Sequence, residues 1–246
     1  MARQRLGQHF LIKGSILERI ARAVCPAPQP IVIEIGPGRG ALTAKLLEHA
    51  ARVVAVEIDH DLAGHLRQRF AGDPRLEVVE ADVLSTDMAQ WGPAPIVGNL
   101  PYYITSPILE RTLRLRPPRA VFLLQKEVAQ RLVARPGSRD YGYLTVATGL
   151  FANPRLLCEV PPSAFRPPPK VDSAVVEFTP VSSALPDPEA FLEFAAQCFR
   201  HKRKTIRNNL VVVYGKDVES WPEAALRAEQ LSLPQLEEMW RRLRTR

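Results

Sequence analysis

Five short runs, apolar along nearly their whole length, limit what this 246-residue chain can fold into. They are IVIEI at 31–35, RVVAVEI at 52–58, LEVVEA at 76–81, APIVGN at 94–99 and RAVFLLQ at 119–125. Segments with helical spacing lie between them at 41–50, 59–70 and 105–115. Strands of this kind need cover on both faces, and their alternation with helices predicts an α/β fold built on a parallel sheet. SAVVEF at 173–178 reads as a late strand, and the five prolines of VPPSAFRPPPKVDS at 160–173 as a stiff loop. SSALPDPEA at 182–190 has the composition of a linker, and helical spacing resumes after it. The expected organisation is a sheet domain over 1–182 and a small α-helical domain over 187–246.

The first run leads into GPGRGALTAKLL, a glycine-rich turn that opens a helix. Gly36, Gly38 and Gly40 let the backbone approach a ligand closely. The second run ends in Glu57, 21 residues after Gly36, where a carboxylate can accept from both hydroxyls of a ribose. The spacing admits either a nicotinamide dinucleotide or S-adenosylmethionine, although Pro37 removes an amide that a pyrophosphate would use. Asp82, after the third run, offers an acceptor for an adenine amine or a cap for the next helix.

The fourth run ends in GNLPYY at 98–103. Ligands of open α/β sheets bind beyond the carboxyl ends of the strands, so Asn99 and Tyr102 are expected in one cleft with Gly36 and Glu57. Asn99 offers a neutral carbonyl, Pro101 fixes the direction of the Leu100 carbonyl, and Tyr102 presents a flat face. Together they suit a planar base bearing an exocyclic amine, with stacking worth roughly 1–3 kcal/mol.

Charge is unevenly spread. Residues 1–29 carry net +4, 30–100 net −4, and 101–246 net +7. A basic surface for a polyanion beside an acidic small-ligand segment fits this pattern, with Arg200, Lys202, Arg203, Lys204 and Arg207 as its densest run. Cys25, Cys158 and Cys198 are far apart and form no metal-type pair, so reduced thiols and no metal are expected. No apolar run approaches the roughly 20 residues of a membrane helix, and the basic N-terminus lacks the apolar core of a signal peptide. The expectation is a cytoplasmic, monomeric protein without a membrane partner.

At these residues the sequence resembles the ribosomal RNA adenine dimethyltransferases that modify two adjacent adenosines near the 3′ end of 16S RNA. LGQHFL (6–11), EIGPGRGALT (34–43), VEID (56–59), EADVL (80–84) and GNLPYYITSPIL (98–109) follow in the family's order. So do QKEVAQR (125–131), RPGSRDYGYLTV (135–146), FRPPPKVDSAVV (165–176) and FRHKRKTIRNNL (199–210). The resemblance implies a Rossmann-like S-adenosylmethionine-dependent methyltransferase sheet with a small helical domain. It implies cofactor contacts from His9, Leu11, Gly36, Glu57, Asp82 and Asn99, with Gly38 in the same turn. Asn99, Leu100, Pro101 and Tyr102 become the target-base motif, Phe165 covers the base's other face, and the basic run grips rRNA in the small subunit. His9 stands where the family often has Asn, and Tyr103 where some members have Asn.

Three other readings differ. A large-subunit rRNA adenine methyltransferase of the antibiotic-resistance type shares the cofactor and base motifs. An assembly or transcription factor keeping the fold would be signalled by loss of Glu57 or Asn99, and both are present. An NAD oxidoreductase leaves Asn-Leu-Pro-Tyr and the proline-rich loop unexplained.

Overall fold

The computed structural model describes residues 9–182 and 185–244, so residues 6–8 of the N-terminal motif and 183–184 of the linker lie outside the described residues. Contacts group the chain into two compact units, Met1–Ala129 with Ala152–Pro180, and Gln130–Phe151 with Val181–Arg246. The helical segment 130–151, read from sequence as part of the sheet domain, thus groups with the C-terminal residues.

The first unit runs through β1 (Phe10–Leu11), α1 (Gly14–Val24), β2 (Val32–Ile35), α2 (Ala41–Leu46), β3 (Val53–Glu57), α3 (His60–Arg69), β4 (Leu76–Glu80), β5 (Ile96–Asn99), α4 (Thr105–Arg114) and β6 (Ala120–Gln125). Helix α5 (Lys126–Leu132) leads out of it, and α6 (Tyr143–Gly149) belongs to the second unit. The chain then returns as β7 (Ala152–Val160), β8 (Phe165–Arg166) and β9 (Ser173–Pro180).

Seven strands form one sheet in the order β4-β3-β2-β5-β6-β9-β7. The five on the β4 side are parallel, and β9 is antiparallel to both of its neighbours. β2 and β3 are buried along their whole length, as continuous apolar runs require. Two features depart from the sequence expectation. The sheet is mixed, with an antiparallel edge, and β7 is a strand that its sequence did not suggest. ANPRLLCEV contains Pro154, Arg155 and Glu159, which only an edge strand with one ladder accommodates. A buried carboxylate fixes its register: Glu177 of β9 is 3% exposed and pairs with Arg119 at the start of β6 and with Arg155 of β7. A slip of one residue along β7 turns Arg155 to the opposite face and takes one of two cations from that buried carboxylate.

The proline-rich stretch is also more ordered than a loop. A single 3₁₀ turn at Pro162–Ala164 precedes β8, which pairs antiparallel with β1. Leu11 lies opposite Phe165, and Phe10 opposite Arg166.

The second unit packs α6 with α7 (Pro188–Phe199), α8 (Ile206–Tyr214) and α9 (Leu233–Arg244). Phe191 meets Trp240 edge-on at 6.0 Å, and the buried Asn209 donates to the Cys198 carbonyl at 2.9 Å. All three cysteines are free. Burial pushes the Cys25 thiol up to about 11 and that of Cys198 higher still.

Candidate active site

Strand order places the site. After β4 the chain crosses to the far side of β2 and enters the sheet as β5, so β2 and β5 are neighbours with Ile35 opposite Gly98. Their carboxyl ends carry the glycine turn and the Asn99–Tyr102 cluster, at a topological switch point. One cleft is lined there by His9, Leu11, Gly36, Gly38, Glu57, Asp82 and Asn99–Tyr102 together.

The turn is built from left-handed backbone: Gly36, Gly38 and Gly40 have φ of 65°, 57° and 77°. Space excludes side chains as well. A Cβ on Gly38 would sit 2.9 Å from the Phe10 ring, and one on Gly40 2.7 Å from Leu66 and Phe70. Phe10 therefore lies on the turn, with the Arg39 guanidinium 4.9 Å above its ring.

The hydrogen bonds of the turn decide which nucleotide it accepts. Gly36 donates its N–H to the Val56 carbonyl at 3.0 Å, and Gly40 donates to Pro37 at 2.9 Å. Gly38 donates to Glu57 Oε2 at 3.0 Å, and Pro37 has no N–H. A pyrophosphate would find these amides engaged and a buried carboxylate beside them. A ligand with hydroxyls and cationic groups finds acceptors instead. Glu57 Oε1 takes the Asp59 N–H at 3.0 Å, so each carboxylate oxygen keeps a lone pair for a ribose hydroxyl. Burial pushes the Glu57 carboxyl above its ordinary range, while the Asp59 and Gly38 amides pull it back. Asp82 Oδ1 accepts from Leu84 N at 2.8 Å, so the residue caps its own turn while facing the cleft. Ile35, Ile58 and Val83 supply apolar walls. The acceptors fit the hydroxyls and cationic groups of S-adenosylmethionine, and the engaged glycine amides do not fit a pyrophosphate.

The base motif is equally specific. Leu100 is buried at 1% exposure, which anchors the loop, and its neighbours Asn99, Pro101 and Tyr102 line the cleft with it. Asn99 Nδ2 donates to the His9 carbonyl at 2.9 Å, and among the described residues its Oδ1 accepts no hydrogen bond. The Tyr102 hydroxyl lies 2.7 Å from Ser173 Oγ, and burial raises its pKa above the ordinary phenol value. Its ring is thereby pinned at the hydroxyl end.

Phe165 requires a correction. It is 2% exposed, packs in the apolar core with Leu11, Val121 and Val175, and is not among the residues that line the cleft. Pairing of β8 with β1 turns that side chain inward. The ring that faces Tyr102 is His9, with centroids 5.9 Å apart and planes inclined by 30°. The His9 side chain thus points to the base motif, with Nδ1 2.8 Å from the Pro167 carbonyl.

One lining residue was missed from sequence. Glu34, inside β2, is 1% exposed and accepts from Thr43 Oγ1 at 2.6 Å. A charged residue in the middle of an otherwise apolar strand was its signal. Burial pushes its carboxyl up to about 8, the Thr43 hydroxyl lowers it, and the nearby Glu57 charge raises it. Between its ordinary value of 4.5 and about 8, the folded protein keeps a proton that the unfolded chain releases. Stability therefore falls as pH rises through that window, by on the order of 5 kcal/mol. Glu34→Gln removes this slope, and urea melts at pH 5 and pH 8.5 measure it.

The basic run lies in the second unit. Arg200, Lys202, Arg203 and Lys204 occupy the exposed turn between α7 and α8, and Arg207 is exposed on the first turn of α8. Lys202 is tied down by the Arg139 carbonyl and by Glu229 at 4.0 Å. Elsewhere Glu18, Glu48 and His49 converge, but Arg22 and Lys45 already pair with the two carboxylates at 2.6 and 2.8 Å.

The family described as "Ribosomal RNA adenine dimethylase" matches residues 1–241. The "Ribosomal RNA small subunit methyltransferase A" of Acidobacterium capsulatum is 42% identical over 98% of this chain and 91% of its own length. A dimethyladenosine transferase from Plasmodium falciparum superposes with a TM-score of 0.79 at 29% identity, covering 96% of this chain and 98% of that one. The 23S rRNA methyltransferase ErmE follows with a TM-score of 0.71 at 32% identity, covering 93% and 98%.

Proposed function

The chain belongs to the ribosomal RNA adenine dimethylase family, and from that premise we propose that it transfers methyl groups from S-adenosylmethionine to the exocyclic amines of two adjacent adenosines near the 3′ end of 16S rRNA. The observation that carries this reading is the junction of β2 and β5, where a turn with its amides engaged adjoins Asn99–Tyr102 in one cleft. The small-subunit target is supported by relatives named for that subunit at 42–44% identity, against 32% for the large-subunit enzyme ErmE.

Gly36, Gly38, Glu57 and Asp82 would hold the cofactor, with Leu11 and the backbone near His9 and Asn99 at its edge. Bound S-adenosylmethionine supplies an electrophilic methyl group. An adenine amine is a weak nucleophile because its lone pair is delocalised into the ring, and its proton becomes acidic only as the new bond forms. No strong base is needed beforehand. Asn99 Oδ1 and the Leu100 carbonyl accept the two amine hydrogens, and these bonds strengthen as positive charge develops on nitrogen. Tyr102 stacks the base, which must leave its own stack to enter the cleft.

We assign catalysis to the first unit and the grip on RNA phosphates to the basic run of the second. Replacing Arg200, Arg203, Lys204 and Arg207 by alanine weakens RNA binding and lowers the slope of log affinity against log salt by about 3. Lys202→Ala changes that slope less, because its ammonium is already paired. Filter binding across a salt series checks both, and an unchanged slope for the quadruple variant counts against the patch. Among the described residues no helix is long and apolar enough to cross a membrane. We take the protein to work as a monomer in the cytoplasm.

The deciding assay incubates the protein with radiolabelled S-adenosylmethionine and unmethylated small and large subunits, then maps the label. Dimethyladenosine in the small subunit is expected. Label confined to large-subunit RNA moves the assignment to the resistance-type enzymes.

A further inference from the structure

We propose that Asn209 is the positioning residue of the RNA grip: from inside the second unit it fixes the turn between α7 and α8, so that Arg200, Lys202, Arg203 and Lys204 are held in place before RNA arrives. The inference rests on the basic run binding RNA, as proposed above, and adds what holds that run in shape.

The amide itself is the first observation. Asn209 is 5% exposed, while its neighbours Arg207 and Asn208 face solvent. Its Nδ2 donates to the Cys198 carbonyl at 2.9 Å and to the His201 carbonyl at 3.3 Å. Cys198 lies in the last turn of α7, where carbonyls have no partner within the helix. The His201 carbonyl also takes the Lys204 N–H at 2.9 Å, which closes the turn on itself. One side chain thus ties the end of α7 to the middle of the basic run. A primary amide supplies both hydrogens, whereas a carboxylate of the same size supplies none.

The other end of the turn is clamped as well. The Thr205 hydroxyl accepts from the Asn208 N–H at 3.4 Å, Ile206 donates to the Leu226 carbonyl at 2.7 Å, and Arg207 donates to the Ala224 carbonyl at 3.0 Å. The first amides of α8 are therefore taken, and a phosphate meets the basic side chains there instead of a free helix end. Repulsion among the cations crowded into 200–204 favours a spread turn, and the Asn209 bonds oppose it. A turn that is already ordered loses little conformational entropy on binding, while a loose one must be ordered at each encounter. The bound contacts are the same in both cases. Asn209 therefore acts on affinity and not on the number of phosphates engaged, whereas removing the cations acts on both.

The test uses the full chain and a small-subunit RNA fragment carrying the two adjacent adenosines, in filter binding across a salt series. Asn209→Leu keeps the volume and removes the donors, and Asn209→Ala removes both. Each is expected to weaken binding about tenfold, with the slope of log affinity against log salt within about 0.5 of the natural protein's. In the chain already lacking Arg200, Arg203, Lys204 and Arg207, Asn209→Leu is expected to change affinity by less than about twofold. The inference is overturned if Asn209→Leu binds within about twofold of the natural protein, or if its slope falls as far as that of the quadruple variant. It is equally overturned if the loss is the same in both backgrounds, which marks a general defect of the second unit. If neither variant folds, hydrogen exchange on the natural protein decides. The Lys204 amide is expected to be protected without RNA, and exchange at the rate of an unfolded peptide overturns the inference. Failure of the underlying reading looks different: the quadruple variant then keeps the natural slope, and this inference falls with it.

Discussion

Asn99→Ala is expected to reduce methyl transfer to background, about 10³-fold or more below the natural protein, while S-adenosylmethionine binding stays within about tenfold, or 1.4 kcal/mol. The split follows from the two ends of one amide. Nδ2 holds the His9 carbonyl at 2.9 Å, and Oδ1 faces the cleft without a partner among the described residues. Alanine removes the acceptor whose bond strengthens as the amine gains charge, so the loss falls on the chemical step. The lost tether to His9 costs cofactor binding little, because β1 remains paired with β8 and the Phe10 ring still rests on Gly38. Single-turnover methylation and equilibrium cofactor binding, measured on the same preparation, separate the two. Near-normal turnover ends the assignment of Asn99 to the amine.

Gly98→Ala is expected to destabilise the protein by about 3 kcal/mol and to abolish methylation with it. A Cβ at this position would lie 2.6 Å from the Ile35 carbonyl, a backbone atom of the neighbouring strand, and 3.2 Å from both Ile35 Cβ and the Leu100 side chain. None of these can yield cheaply, since Ile35 and Leu100 are themselves buried. β5 must shift away from β2, and the next residue along it is Asn99. For a chain of this size the loss corresponds to a melting temperature lower by about 6–12 °C. Gly64→Ala is the control of opposite sign. Gly64 lies inside α3 with nothing within 4 Å of a Cβ, so alanine there raises stability by about 0.5–1 kcal/mol. Melting of Gly98→Ala within 2 °C of the natural protein contradicts the packing account.

What was readable in the sequence followed the range of the forces involved. The parallel strands announced themselves because burial on both faces writes a continuous apolar run. The glycine turn and Glu57 were readable because a strand, a turn and the next strand fix their spacing locally. β7 was not, because an edge strand with one ladder and an exposed face tolerates Pro154 and Arg155 and loses the apolar signature. The placements of Phe165 and His9 were not readable for a different reason. Which way each ring points depends on β1 pairing with β8, and His9 and Pro167 are 158 residues apart. Local pattern carries no information about a pairing of that span. The basic run was visible as composition, but the pairing of Lys202 with Glu229 was not.

The β1–β8 ribbon has a consequence for how the enzyme comes into being. Its two strands are only two residues each, so little binding energy offsets the entropy of closing so long a loop. Such a contact forms late in folding and opens first in the native state. A ribosome partway through making this protein has therefore already produced the glycine turn, the acidic acceptors and the base motif, yet none of them has its outer wall. A chain still emerging holds the parts of a methyltransferase without being one. Competence arrives only when the returning segment reaches back to its own beginning.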